Sequence, residues 1–214
     1  WAVLGLGKLG GRELSATSDL DIMLVYAPTA EQSDGKRPLG AQTWFIRFTQ
    51  RLVSALSAPT EEGELYEVDL ALRPSGSAGP AAVSLSRFEE YYQTPEAWTW
   101  ERMALTRARI VVDGGLASRL DDAITAVIHA AGPAEMLRDD AADMRARLER
   151  DRPARSFWDI KLRPGGLIDI EFIAQYLALR HAAENADILN SEPLALLQNL
   201  TRAGYLNASN GALL

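Results

Sequence analysis

The chain has 214 residues, a hydrophobic fraction of 47% and a formal net charge of −7, so it is long enough for one large or two small globular domains. Its pI near 5.0 argues against a general nucleic-acid-binding protein, which would carry a basic stripe, but it leaves room for a local basic pocket that binds a nucleotide. The sequence contains no cysteine, which excludes a disulfide framework and thiolate chemistry.

The sequence shows no segment that would direct the chain into a membrane or out of the cell. Its apolar runs stay short of the roughly 18 residues that predict a membrane-spanning helix, and its first residues lack the pattern of a signal peptide. We therefore expect a cytoplasmic protein with no membrane partner. Because the chain starts inside an apparent strand and without Met, we also expect it to be a fragment of a longer protein.

The first part of the chain is predicted to combine short strands, turns and one helix. Residues 1–7 and 19–26 are apolar runs typical of strands, and residues 8–17 between them predict a glycine-containing turn with a short helix. Pro and Gly mark residues 27–40 as a loop, and apolar residues at helical spacing predict a helix over 41–57.

A third strand is predicted over residues 64–72, because apolar and polar side chains alternate there. An acid at the centre of such a core-like strand, here Asp69, is costly unless a partner or a metal compensates it. The breakers in residues 73–80 then predict a loop. One face of the strand would carry Leu65, Glu67, Asp69 and Ala71, and the other face Tyr66, Val68, Leu70 and Leu72.

Strand signals mostly vanish after about residue 84, where the pattern becomes helical. The predicted fold class is therefore α+β: a small mixed sheet with helices over 1–112, followed by an α-helical domain over 113–214. The turn Asp113-Gly114-Gly115 is the predicted boundary, and residues 152–164 are predicted to be a connector. The helices are predicted over 85–93, 98–111, 116–131, 134–150, 166–183 and 192–203.

Three acids form the candidate metal site. Asp19 and Asp21 lie two residues apart at the start of the second predicted strand, where they would point to the same face. With Asp69 they could hold two Mg²⁺ ions about 3.5–4 Å apart, the arrangement used for in-line displacement at phosphorus. Mg²⁺ binds one or two carboxylates plus substrate phosphate oxygens, so this set suits a nucleotide substrate. The structural alternatives are turn or N-cap chemistry for Asp19 and Asp21, and an ion pair with Arg73 for Asp69.

Four further residues are candidates for contacts with the nucleotide phosphates. Gly7 lies in the glycine-rich turn, where a missing side chain lets the backbone approach a ligand closely, and Ser18 directly precedes the acids. For both, the alternative is an ordinary turn at the end of a strand. Lys8 would pair with a phosphate or stay solvated, and Arg73 would point its guanidinium at a phosphate or at a structural acid. Residues 75–79 would close over the substrate or simply connect two elements.

Several segments, in order along the chain, together match the pattern of one family. The first group is Gly7-Lys8-Leu9-Gly10-Gly11-Arg12-Glu13-Leu14, Ser18-Asp19-Leu20-Asp21 and Tyr66-Glu67-Val68-Asp69-Leu70-Ala71-Leu72-Arg73-Pro74-Ser75-Gly76. The second group is Trp98-Thr99-Trp100-Glu101 and Gly165-Gly166-Leu167-Ile168-Asp169-Ile170-Glu171-Phe172-Ile173. With these segments the chain resembles the DNA polymerase β-like nucleotidyltransferase superfamily and, within it, the glutamine synthetase adenylyltransferase family.

That resemblance implies a Mg²⁺-dependent enzyme that transfers AMP from ATP to a tyrosine of glutamine synthetase and so regulates nitrogen assimilation. Asp19 and Asp21 would bridge the metals, while Asp69 would bind the catalytic metal and help to deprotonate the tyrosine hydroxyl. The metals would neutralise the developing pyrophosphate.

The family has two homologous halves, of which one adds AMP and the other removes it by phosphorolysis. The segments at 66–69, 96–101 and 173–180 resemble the C-terminal, adenylylating half. That half implies regulation by glutamine and by the PII nitrogen-signal protein. The removing half is the alternative, because the same acids serve both reactions.

Two other classes of function stay open. A sensor would bind a nucleotide or an effector without turnover, and the complete set of three acids argues against it. A nucleic-acid polymerase or a tRNA-tailing enzyme would need a nucleic-acid partner, which the acidic pI disfavours. We therefore expect no nucleic-acid partner.

Charged residues outside the candidate site have their own predictions. Arg107 and Arg109 are predicted on one helix, where they would pack with their charged ends reaching solvent. On a helix, Asp169 and Glu171 lie about 200° apart and cannot share one ligand. Asp169 would cap the start of that helix. A role of Lys161, Asp169 and Glu171 in closing the nucleotide site is implied by the resemblance, with a purely structural role as the alternative.

Overall fold

The computed structural model describes residues 1–63 and 65–211. Its contacts divide the chain into two compact units. The first unit comprises Trp1–Ala97 and Ala108–Thr125, and the second comprises Trp98–Arg107 and the chain from Ala126 onward.

The predicted α+β fold class is confirmed. The first unit contains a mixed sheet with helices, and helices dominate the second unit. The domain bounds of 1–112 and 113–214 stay a prediction.

The first unit is built on a sheet in which β2 has neighbours on both sides. β1 pairs antiparallel with β2 on one edge and with β5 on the other. The second edge of β2 is shared by two parallel neighbours, β3 at its beginning and β4 at its end. The end of β1 and the beginnings of β2 and β3 therefore meet at one end of the sheet. The strands are β1 (Ala2–Gly5), β2 (Leu20–Tyr26), β3 (Val68–Asp69), β4 (Ala82–Ser84) and β5 (Arg109–Asp113).

β1 and β2 are buried on both faces, which explains why their sequences read as continuous apolar runs. On one face, Val3, Leu24 and Tyr26 pack with the apolar side of α2 (Ala41–Leu56). The rings of Tyr26 and Phe45 stack there with centroids 4.2 Å apart. Burial of side chains of this size stabilises the fold by about 1.5–3 kcal/mol each. The opposite face carries the buried residues Ala2, Leu4, Met23 and Val25.

The other helices of the first unit are α1 (Gly7–Gly10), α3 (Leu85–Gln93) and most of α5 (Ala117–His129). Ser84 caps α3, since its Oγ accepts a hydrogen bond from the backbone N–H of Arg87 at 3.2 Å. This bond satisfies one of the amide groups that the first turn of a helix leaves without a partner.

The second unit holds its helices together through small and branched apolar side chains. Ala174 and Ala178 of α7 pack with Leu196, Leu197 and Leu200 of α8 in one buried cluster. Alanine on α7 lets the leucines of α8 approach the helix closely. The helices are α4 (Thr99–Leu105), α6 (Ala134–Asp151), α7 (Leu167–His181), α8 (Pro193–Arg202) and α9 (Ala208–Gly211). Throughout residues 1–63 and 65–211, no helix combines the length and the apolar character needed to cross a membrane.

The predicted helix over 98–111 is wrong in its second half. It ends at Leu105 as α4, and Arg109–Asp113 forms β5. The buried strand β1 has backbone N–H and C=O groups along this edge that need partners, and β5 supplies them. The signal was present in the β-branched run Ile110-Val111-Val112 before an Asp-Gly turn.

The third strand is shorter than the predicted span of 64–72. Only Val68–Asp69 pairs with β2, because β4, which the sequence did not reveal, occupies the remaining edge of β2. The predicted alternation nevertheless appears in the burial: Leu65, Glu67 and Asp69 are exposed, while Tyr66 and Val68 are half-buried. Glu64, the first residue of the predicted strand, lies outside the described residues.

Asp113 organises the turn that leads from β5 into α5. Its Oδ1 accepts hydrogen bonds from the backbone N–H groups of Gly115, Leu116 and Ala117 at 2.7, 2.8 and 3.0 Å. These bonds hold the pKa of the Asp113 carboxyl below its ordinary value, because they stabilise the charged form. The folded-state pKa therefore lies below the unfolded-state pKa of about 3.9. The resulting stability is present above that value and is lost as the pH falls through the folded-state pKa.

We predict that Asp113→Asn lowers the free energy of unfolding at neutral pH, because the neutral amide is a weaker acceptor for the three N–H groups. The difference from wild type should shrink as the pH falls below about 4. Urea denaturation at neutral pH and at about pH 3 measures this difference, with Asp121→Asn in α5 as the control. A difference that is equal at both pH values would contradict the assignment.

Candidate active site

The predicted acids lie at the end of the sheet where β2 and β3 begin. Parallel pairing places Leu20 beside Val68 and Asp21 beside Asp69. Leu20 and Val68 pack in the cluster with α2. Since alternate residues of a strand face opposite sides, Asp21 and Asp69 share the other face. Asp19 lies just before β2, and its side chain is exposed.

Asp21 lies directly against Gly7 in the turn that follows β1. The backbone N–H of Leu6 donates to the carbonyl oxygen of Asp21 at 2.9 Å, which ties the turn to β2. Gly7 has φ +49°, a conformation that side chains disfavour. A Cβ at this position would lie 2.2 Å from Oδ2 of Asp21. Both the backbone angle and the contact with the carboxylate therefore require glycine.

Asp69 is fixed on its own strand rather than buried. Its side chain is exposed, and its Oδ1 accepts a hydrogen bond from the N–H of Ala71 at 2.6 Å. The burial cost suggested by the core-like strand does not arise. Within the described ranges 1–63 and 65–211, no group of three or more His, Cys, Asp or Glu side chains is arranged to hold a metal ion. The structure thus makes Asp21 and Asp69 strand neighbours without clustering them with Asp19, and the metal role of the three acids stays a prediction.

Ser18 holds the turn that leads into β2. Its side chain is buried, its Oγ accepts from the N–H of Ser15 at 3.0 Å, and the two Oγ atoms are 2.9 Å apart. The N–H of Ser18 donates to the carbonyl of Ser15 at 3.0 Å. Lys8 lies in α1 and is half-buried. Contacts of Gly7, Lys8 and Ser18 with phosphates stay predictions.

Arg73 closes the loop that follows β3. Its guanidinium donates hydrogen bonds to the carbonyl oxygens of Leu70 at 2.5 Å, Gly79 at 3.0 Å and Pro80 at 3.0 Å. Burial lowers the pKa of Arg73, and the nearby Asp69 carboxylate raises it in part. Arg73 therefore has a structural role through backbone carbonyls, while its predicted contact with a phosphate stays a prediction.

The prediction that Arg109 lies on a helix is wrong, and for that reason its contacts in this region were not predicted. It lies on β5 beside Gly5 of β1. Its guanidinium donates to the carbonyl oxygens of Leu9 at 2.8 Å and Gly10 at 3.2 Å. Arg109 thus contacts the last residues of α1, the turn that begins with Gly7.

A cavity of about 510 Å³ in the same unit is separate from the acids. Its walls include the rings of Trp1, Trp44 and Phe45. Because β1 and β2 run antiparallel, Trp1 lies at the end of the sheet opposite Gly7 and Asp21. The three candidate acids are not among the residues that line this cavity.

In the second unit, Asp169 and Glu171 of α7 contact different neighbours. Asp169 forms an ion pair with Arg145 of α6 and accepts a hydrogen bond from the N–H of Gly165 at 2.6 Å. Glu171 Oε1 lies 3.2 Å from Nη1 of Arg107, whose side chain is only 5% exposed. The two acids therefore fix α7 from two sides, which is a structural role.

Glu101 also has a structural role. Its side chain is buried, and its Oε2 accepts from the N–H of Trp98 at 2.8 Å, which caps the start of α4. This contact explains why a Glu stands three residues after Trp98.

Similarity to known proteins identifies the family. Residues 1–121, more than half of the chain, match the family model described as "Glutamate-ammonia ligase adenylyltransferase". The chain belongs to the glutamate-ammonia ligase adenylyltransferase family. Residues 137–214 match a second family model, described as "GlnD PII-uridylyltransferase". The resemblance inferred from the sequence is confirmed, and an adenylyltransferase is a nucleotidyltransferase, the enzyme class predicted above.

Curated members of the adenylyltransferase family are similar over most or all of the chain. The chain is 54% identical over 177 residues to a protein of Mesorhizobium japonicum. The aligned region covers 81% of the chain and 18% of that protein. It is 46% identical over 216 residues to a protein of Rhodopseudomonas palustris (strain TIE-1), in an alignment that covers 100% of the chain and 22% of that protein. It is 52% identical over 183 residues to a protein of Agrobacterium fabrum, at 83% and 18% coverage.

These three relatives carry one name, "Bifunctional glutamine synthetase adenylyltransferase/adenylyl-removing enzyme". The chain spans between 18% and 22% of their length.

We predict that Gly7→Ala abolishes most of the catalytic activity expected of the family, because its Cβ would displace the Asp21 carboxylate. The positive φ adds a cost of about 1–2 kcal/mol, and the free energy of unfolding should fall by at least that amount. Gly35→Ala is the matched control, since nothing lies within 4 Å of a Cβ there. Activity assays and urea denaturation measure both effects, and equal behaviour of the two variants would refute the contact.

We predict that Glu171→Gln lowers the free energy of unfolding by about 1–3 kcal/mol, because it removes the negative charge that lies 3.2 Å from the buried Arg107 guanidinium. The control is Glu149→Gln, which removes a half-exposed partner of Arg145 and should cost less than about 0.5 kcal/mol. Chemical denaturation measures the loss in the free energy of unfolding for each variant. If Glu149→Gln is the more damaging change, the assigned importance of the Arg107 pair is wrong.

Proposed function

We propose that this chain carries the nucleotidyltransferase site of a glutamine synthetase adenylyltransferase and transfers AMP from ATP to a tyrosine hydroxyl of glutamine synthetase. The observation that carries the proposal is the pairing of Asp21 with Asp69 next to Gly7. Two carboxylates on one face provide ligands for a cation, and a backbone without a side chain lets phosphate oxygens approach.

The metal in this proposal is Mg²⁺, held by Asp19, Asp21 and Asp69. The fit rests on the donor chemistry, since carboxylates are the ligands that Mg²⁺ prefers, and on the register that aligns Asp21 with Asp69. Asp19 is exposed, so its side chain is able to rotate toward a cation within nanoseconds. Bound Mg²⁺ would neutralise charge on the phosphates and lower the pKa of the attacking hydroxyl.

The transfer itself is an in-line displacement at the α-phosphorus of ATP. Asp69 takes the proton of the tyrosine hydroxyl, and the tyrosine oxygen attacks the α-phosphorus on the side opposite the β-phosphate. A new bond forms between the tyrosine oxygen and the α-phosphorus. The bond from the α-phosphorus to the oxygen that bridges to the β-phosphate breaks, and pyrophosphate leaves with that electron pair.

The phosphates of ATP are assigned to the turn after β1 and to the turn before β2. Gly7 would approach them with its backbone, Lys8 with its charge and Ser18 with its hydroxyl. Arg73 is assigned a supporting part: its guanidinium holds the loop after β3 and places a positive charge beside Asp69. This arrangement supports a triphosphate substrate, because it combines acids for a cation with cations for phosphate oxygens.

The second candidate function is the phosphate-dependent removal of AMP from modified glutamine synthetase. The relatives are named for both activities, and the same acids would serve either direction. We favour the adding reaction, because residues 66–69, 96–101 and 173–180 resemble the adenylylating half of the family.

The proposed partners follow from the same assignment. Glutamine synthetase is the protein substrate, and the PII signal protein and glutamine are the regulators. The match of residues 137–214 to a family named for PII uridylylation supports a place in this signalling system. We propose a cytoplasmic location, which agrees with a sequence that has no cysteine to oxidise.

The decisive experiment incubates the full-length polypeptide with α-labelled ATP, Mg²⁺ and unmodified glutamine synthetase. We expect label on the synthetase, with release of pyrophosphate. The Asp19→Asn/Asp21→Asn double variant should lose this transfer, because it removes two carboxylate ligands.

Two other results would redirect the proposal. Release of AMP from pre-adenylylated synthetase on addition of phosphate, without transfer in the forward assay, would identify the removing half. ATP binding without either reaction, unchanged in Asp69→Asn, would point to a sensor without turnover and would overturn the proposed function.

A further inference from the structure

Arg109 reaches across the sheet to the turn that carries Gly7. It starts from β5, beside the last residue of β1, and its guanidinium ends at the carbonyl oxygens of Leu9 and Gly10. The donor distances of 2.8 Å to Leu9 and 3.2 Å to Gly10 make this a forked contact from one side chain to two successive carbonyls. The residues are close in the fold but about a hundred positions apart in sequence, at separations of 99 and 100.

The carbonyls that Arg109 contacts lie at the end of α1, where the Leu9 carbonyl accepts a long bond of 3.4 Å from the N–H of Arg12. The last carbonyls of any helix have no intrahelical donor, and a helix of four residues, Gly7–Gly10, has almost no stability of its own. A cation at the carboxyl end of a helix is also favoured by the direction of its peptide dipoles. Arg109 therefore adds donors and a positive charge at the end of this turn.

Both ends of the Gly7–Gly10 turn lie in close contact with the sheet. A Cβ on Gly5 would lie 2.9 Å from side-chain atoms of both Leu9 and Val111, so α1 folds back closely over β1 and β5. At its other end the turn meets the Asp21 carboxylate through Gly7. A shift of the Leu9–Gly10 end would therefore move Gly7 relative to Asp21.

We propose that Arg109 is a positioning residue for the nucleotide site: it holds the Gly7–Gly10 turn by its last carbonyls and so fixes where Gly7 lies against Asp21. The inference rests on the proposed function and deepens it, since it names a residue that acts on ATP through the turn without touching ATP. Arginine suits this task because its planar guanidinium presents several N–H donors in a rigid fork. Lysine carries the charge but lacks the fork, so it should replace arginine only in part.

The test compares Arg109→Met, Arg109→Lys and wild type in the full-length polypeptide. Arg47→Met is the matched control, because Arg47 is an exposed arginine of the same unit, on α2. Four quantities are measured for each variant: hydrogen exchange of the backbone amides, the Kd for ATP with Mg²⁺, the kcat and KM of AMP transfer, and the melting temperature.

We expect Arg109→Met to speed exchange at the amides of Gly10, Gly11 and Glu13, whose N–H groups donate to Leu6, Gly7 and Lys8. We expect it to weaken ATP binding and to lower kcat/KM for AMP transfer by about 10- to 100-fold, the size of the rate effect that a misplaced group produces. Arg109→Lys should restore part of both effects, and Arg47→Met should show neither.

The inference is overturned if ATP binds Arg109→Met as tightly as wild type, or if exchange rises equally over the whole sheet, which indicates loss of fold in place of a displaced turn. An active wild type with an unaffected Arg109→Met overturns only this inference. A wild type that binds ATP but transfers no AMP removes the proposed reaction, and the exchange and Kd measurements still decide the role of Arg109. A wild type that does not bind ATP overturns both.

Discussion

The contact between the backbone of Gly7 and the carboxylate of Asp21 is the constraint on which the rest of the first unit depends. It needs a residue without a side chain in a left-handed conformation, at the end of a strand whose neighbour carries an acid. The antiparallel register of β1 and β2, which pairs Gly5 with Ile22, sets that distance. The short ladder to β3 then adds Asp69 on the same face.

Arginine side chains hold the irregular parts of the chain in place. Arg73 and Arg109 each donate to backbone carbonyls of a loop or a turn. In the second unit, Arg107 and Arg145 pair with acids of α7. Arginine suits these sites because its fork satisfies several acceptors at once and its charge persists at all physiological pH values. An arginine near an acidic site is thus not by itself a sign of a phosphate contact.

The acids of the chain divide into two kinds by what surrounds them. Asp169, Glu171 and Glu101 have arginine or backbone N–H partners and stabilise helices of the second unit. Asp19 and Asp69 are exposed, and Asp21 lies against the backbone of Gly7. The two groups differ in where they lie, since Asp69 also accepts a backbone N–H: the first group joins helices and helix ends, and the second stands at the end of the sheet beside Gly7. That difference supports a functional role for the second group and a structural role for the first.

Local pattern in the sequence determined much of this protein. Periodicity and short motifs are properties of neighbouring residues, so they could be recognised in the sequence. They predicted the apolar strands at 1–7 and 19–26, the helices at 41–57 and 85–93, and the family itself. Tertiary structure alone decided three things: that Arg109–Asp113 is a strand, that β3 stops after Val68–Asp69, and what Arg73 and Arg109 contact. Each depends on a partner distant in sequence, such as β1, β4 or the end of α1. A sequence pattern states which conformations a segment can adopt, and the free sheet edge or open carbonyl it meets in the fold selects among them.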